Sequence, residues 1–105
     1  MKVFSIRDSK ADAHVEWLFS KTTETATRAF RRACNEPGSQ YNRFPEDFCL
    51  FELGQADEVS GTITPLKQPL SLGLGVQFID KPEPPVSISE ATEMAQQYLT
   101  KEQAR

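Results

Sequence analysis

Phe44-Pro45-Glu46-Asp47-Phe48-Cys49-Leu50-Phe51-Glu52-Leu53-Gly54, answered by Gly61-Thr62-Ile63-Thr64-Pro65-Leu66, is the densest apolar stretch of the chain, and it alternates. Side chains of a strand point by turns to its two faces. Cys49, Phe51 and Leu53 therefore take one side, and Phe48, Leu50 and Glu52 the other. The residues between the runs, Gln55 to Ser60, are polar apart from Ala56 and Val59, which reads as a hairpin with a longer loop. Its apolar face needs a cover, and the rest of the chain must supply it.

Upstream, Lys2-Val3-Phe4-Ser5-Ile6-Arg7 alternates and predicts a short first strand, followed by a polar connection from Asp8 to Ala13. His14 to Phe19 fits a strand or an irregular segment equally well, with Trp17, Leu18 and Phe19 directed at the core or at a partner. Thr22 or Thr23 is a good N-cap for a helix running to about Asn35. Its apolar set, Ala26, Ala29, Phe30, Ala33 and Cys34, follows the spacing of one helix face. Asn35-Glu36-Pro37-Gly38 ends it, since Pro cannot continue the ladder and Gly permits a reversal. Residues from Glu36 to Phe44 are then a loop.

Downstream, Pro65 and Pro69 confine the second hairpin strand to an edge or to a short length. Leu70, Leu72, Leu74, Val76 and Phe78 alternate with Ser71, Gly73, Gly75 and Gln77; this is a strand pattern, or a loop with a strand end. Asp80 to Pro85 is a proline-rich, extended spacer. Beyond it, Ser87 and Glu90 have capping-box spacing and start a helix whose narrow apolar side is Ile88, Ala91, Ala95, Tyr98 and Leu99. That helix can pack on its own domain or on a neighbouring subunit. There are no internal repeats. The expected fold is α+β: a small, mostly antiparallel sheet centred on the 47–54 strand, the 23–35 helix on one face, and a C-terminal helix. The expected organisation is a core domain over 1–80, a spacer over 81–86 and a helix over 87–105.

With 105 residues the chain suits one domain with a modest core and no deep cleft. No apolar run reaches membrane-spanning length, and the N-terminus lacks the apolar region of a secretory signal. Cys34 and Cys49 are far apart and suit two reduced, buried thiols. The net charge of −3 hides an asymmetry: residues 1–44 hold eight basic and five acidic residues, residues 45–105 four and ten. The acidic total argues against coating nucleic acid by bulk charge, and it leaves room for a local basic patch.

Catalysis is not expected. His14 is the only histidine, and it lies in an apolar segment where a structural role is the ordinary one. No His/Cys grouping has metal-ligand spacing, so no metal is expected. Gly73-Leu74-Gly75 lacks the rest of a dinucleotide fingerprint, and no cofactor is implied. Glu46-Asp47 and Asp57-Glu58 read as solvated acids.

The strongest candidate for function is the outer face of the first helix. Arg28, Arg31 and Arg32 fall at i, i+3 and i+4 on one side, with only Glu24 placed to offset them. A solvated helix face would look the same. Its neighbours decide the reading: Lys21 stands just before the helix, and the following loop carries Tyr41, Arg43 and Phe44. Cations that neutralise phosphates, interleaved with rings that stack on unpaired bases, suit single-stranded nucleic acid. Core packing is the competing role for Phe44.

Four blocks, Met1 to Ala11, the Arg/Ala helix ending in Ala33-Cys34-Asn35-Glu36-Pro37, Phe44 to Gly54 and Gly61 to Leu66, stand in an order and spacing that resembles a known family. It is the small nonstructural protein of gokushovirus-type microviruses, icosahedral phages with single-stranded DNA genomes. The resemblance covers about residues 1–80. It implies a non-capsid, DNA-binding protein of the host cytoplasm, acting in genome replication or its switch to packaging. It brings no catalytic or base-contacting residues, so Lys21, Arg28, Arg31, Arg32, Tyr41, Arg43 and Phe44 rest on the residues themselves. The acidic C-terminal half departs from this picture, and a homo-oligomer aligning several basic faces would reconcile the two. The competing class is an interaction module that binds a phage replication or capsid protein through Trp17, Leu18, Phe19 and the C-terminal helix.

Overall fold

Two strands far apart in sequence, β1 (Lys2–Asp8) and β3 (Phe48–Ala56), run antiparallel side by side and form the middle of a sheet. Its edges are β2 (Ala13–Ser20) and β4 (Ile63–Leu74), giving the order β2-β1-β3-β4 with every pairing antiparallel. Between β2 and β3 the chain forms α1 (Thr23–Cys34) and a single turn, α2 (Gln40–Arg43). The computed structural model describes residues 1–80; the proline-rich spacer and the helix expected over 87–105 lie outside the described residues.

The 47–54 strand is present, and it shares the centre of the sheet with β1. The segment His14 to Phe19 is a strand. It pairs with β1 through a tight hairpin in which Asp12 takes a left-handed conformation, φ 55°, that Asp tolerates better than most residues. Val15 is the extra residue where the β1–β2 register shifts, since Ile6 faces Glu16 and Arg7 faces His14.

α1 starts where Thr22 accepts a hydrogen bond from the Thr25 amide, and it ends at Asn35. Asn35 also ties the helix end to the segment after β4: its side-chain amide nitrogen donates to the carbonyls of Arg31 and Phe78. Ala26, Phe30 and Cys34 enter the core with Phe4, Ile6, Tyr41, Phe48, Leu50 and Phe78. Ala29, expected on the same buried face, is exposed. It borders an open groove with Ile6 of β1, Glu16 and Leu18 of β2, and Ala33.

β4 keeps to the edge, as the prolines require, but it is long. Between the pairs Glu52–Leu70 and Gly54–Pro65, Leu53 alone opposes the β4 residues from 66 to 69. This bulge holds Pro69 where the ladder demands no amide donor. The alternation from Leu70 to Phe78 ends as a strand at Leu74, and Gly75–Gln77 is a 3-10 turn. The Gln77 side-chain oxygen accepts the Leu74 amide at 2.6 Å. The turn brings Phe78 edge-on to Phe30, ring centres 5.5 Å apart.

The loop from Glu36 to Phe44 carries the largest correction. Ser39 caps α2 through the Asn42 amide, and this turn drives Tyr41 inward, where it is 7% exposed. Its ring meets Phe48 at 4.7 Å and Phe30 at 6.1 Å. Tyr41 is a core residue, because an aromatic ring beside Phe30 and Phe48 gains more from burial than from solvent.

Candidate functional site

The arginines of α1 separate by role. Arg31 reaches the Phe78 carbonyl at 3.3 Å and the Asp80 carboxylate at 3.1 Å, and its guanidinium lies 5.4 Å from the centre of the Phe78 ring. It latches the segment after β4 onto the helix. Arg28 and Arg32, one turn apart, are exposed and form no ion pair among the described residues. Arg28 borders a shallow groove with Thr23, Glu24 and Thr27. Lys21 is exposed at the opposite end of the helix, beside Met1, Lys2 and the β3–β4 loop. At 1.5 Å per helical residue it stands about 16 Å from Arg32.

Arg43 and Phe44 are both exposed, Phe44 to 46%, and the guanidinium lies 5.3 Å from the ring centre. The ring therefore already carries a cation. Tyr41 cannot join them at the surface. Its hydroxyl donates to the Glu16 carboxylate, and its pKa is pushed up to about 12, first by burial and then by that hydrogen bond. Burial likewise raises the Cys34 thiol to about 11, against an opposing pull from Arg31.

Both raised groups are neutral in the fold, so their contribution to stability is complete below their ordinary values, 9.0 and 10.0, and is lost as pH rises towards 11 and 12. The expected result is a thermal midpoint that falls progressively above pH 9. Cys34→Ala should flatten the first part of that fall. An equally steep fall in the variant would remove Cys34 from the explanation.

The opposite face of the sheet was less legible. α1, α2 and the turn at Gly75 all pack on one side, and among the described residues nothing covers the other. That bare face carries Trp17 and Phe19, 57% and 55% exposed, with half-buried His14 and Phe51. The His14 ring lies 5.8 Å from Trp17 and 5.9 Å from Phe51. Beneath it the fully buried Ser5 hydroxyl meets His14 Nδ1 at 2.5 Å. Alternation within His14 to Phe19 was the signal that could have found Trp17 and Phe19 as a pair; it needed β2 to be a strand.

A helix bearing two unpaired arginines on one side and a sheet bearing exposed rings on the other define a small α+β protein in which, among the described residues, no cluster of His, Cys, Asp and Glu could hold a metal ion. The chain belongs to the Phage ORF5 protein family, whose model matches residues 1–78, and is thus a phage protein. The match ends at Phe78, the last residue of the core. No curated protein and no solved structure matches it.

Proposed function

We propose that this phage protein binds single-stranded DNA without strong sequence preference, as a nonstructural homo-oligomer of the host cytoplasm that acts in genome replication or its switch to packaging. The observation that carries the reading is the pair Arg28 and Arg32, exposed, one turn apart and free of carboxylate partners among the described residues. Two fixed cations at that spacing suit phosphates, which lie close along a single strand. Arg43 with Phe44 and the more distant Lys21 would extend the contact. The resemblance to gokushovirus nonstructural proteins supports the DNA and the stage of the phage cycle.

Binding of a labelled oligothymidylate across a salt titration tests this. Each phosphate contact on a single strand contributes about 0.7 to the slope of log affinity against log salt. Arg28→Ala/Arg32→Ala should therefore lower the slope by about 1.4 and weaken low-salt binding at least ten-fold. Arg31→Ala, which cuts the latch to Phe78 and Asp80, should lower stability more than it changes the slope. A parental slope in the double variant removes the ridge; no binding by the parent removes the function.

A second reading is favoured by β4, an edge strand exposing Ile63, Leu66, Leu70 and Leu74. Such an edge suits pairing with another chain, a second copy or a phage replication or capsid protein. Under that reading alone the oligonucleotide shows no salt-dependent binding.

A further inference from the structure

With Tyr41 buried and the Arg43 guanidinium over the Phe44 ring, the two rings named in the sequence do not together form an exposed stacking surface. The rings that do lie on the bare side of the sheet. Trp17 and Phe51 flank Ser5 on β1 from either side in register, and His14 bridges them above it. Phe19 stands two residues along β2 from Trp17, opposite Val3, which is buried. The result is a strip of four rings across three adjacent strands, built on a floor of Val3 and Ser5.

The charges of this sheet are sorted between its faces. Glu16 turns to Tyr41, and Glu52 turns to Thr23 and Lys2, both on the helix side. Asp8 pairs in register with Phe48, whose side chain belongs to the helix-side core. Arg7, by contrast, pairs with Cys49 and His14 on the bare side. Among the described residues the carboxylate that Arg7 engages is Asp12 of the hairpin turn. In a chain of net charge −3, every strand carboxylate has been turned away from the rings. A second copy docking on this face would be indifferent to that sorting, whereas a polyanion requires it.

We infer that the bare sheet face, through Trp17, Phe19 and Phe51 with Arg7 and His14 beside them, is the base-stacking platform for single-stranded DNA. This rests on the DNA-binding reading above and assigns the bases to a surface apart from the arginine ridge. Successive unpaired bases stack on such rings with little regard to sequence, since every base has a π-face.

Trp17 is the only tryptophan of the chain, so its emission reports on this face directly. Titrating the full chain with a fluorescein-labelled oligothymidylate for anisotropy, and with the unlabelled strand for emission, should give quenching that saturates together with binding. Trp17→Leu and Phe19→Leu should each weaken binding about five-fold to a hundred-fold with the salt slope unchanged, since neither ring touches a phosphate. Trp17→Phe should restore most of the affinity. Both positions are over half exposed, and an unchanged circular dichroism spectrum checks the fold.

If the oligonucleotide binds while Trp17 emission and both ring variants stay at parental values, the platform is wrong and DNA binding stands. Absence of oligonucleotide binding overturns both. If emission instead follows protein concentration, and Trp17→Leu shifts the sedimentation of the protein without DNA, a second copy occupies the face and the inference falls.

Discussion

Phe30→Ala should destabilise the fold by about 3–5 kcal/mol, the range for deleting a fully buried aromatic ring. Phe30 is 1% exposed and is the one large side chain that α1 contributes to the core. It meets Tyr41 from α2 and Phe78 from beyond β4, so three segments lose their common contact together. Small domains hold about 5–15 kcal/mol in total, and the loss would consume much of that margin. Urea unfolding followed by circular dichroism measures it. A loss below about 1 kcal/mol would mean that the helix is held chiefly by its ends, through Asn35 and Arg31.

Gly54→Ala should be the next most damaging exchange. Gly54 is buried where β3 and β4 converge after the bulge, and an added methyl would meet the Thr64 carbonyl and come within 2.8 Å of the Pro65 Cα. Both obstacles are backbone, so the strands must part rather than a side chain turn aside. Overpacking of this kind costs about 1–3 kcal/mol, and the upper end is expected here. Hydrogen exchange should show the loss first in the Gly54–Pro65 to Ala56–Ile63 pairs, with the β1–β2 amides protected as before. Uniform loss along the whole sheet would show instead that the hairpin and the core unfold as one unit.

Much of the fold was legible because it is local. Thr22, Asn35 and the Phe30-centred stripe set α1, and each acts within a turn of its own position. Alternation set β1 and β3 in the same way. Where reading faltered, the deciding contact lay far off in sequence. His14 to Phe19 is a strand because β1 pairs with it. The run from Leu70 to Phe78 breaks at Leu74 because Phe78 has a place against Phe30, 48 residues earlier. Pro69 interrupts nothing because a bulge opposite Leu53 receives it.

The candidate site divides along the same line. Arg28, Arg31 and Arg32 were certain to share a helix face, since spacing alone decides that. Which of them would be free was not, for Arg31 is claimed by Asp80 and the Phe78 carbonyl from the other end of the domain. Tyr41, expected at the surface, is buried, and Trp17, left open between core and partner, is exposed, for the same reason. The sequence by itself determined which residues form the helix and which side chains alternate along β1 and β3. Only the tertiary structure decided which face α1 covers. Helix burial removes Tyr41, Phe48 and Leu50 from water and, by the strict alternation of strand side chains, leaves Trp17 and Phe19 in it.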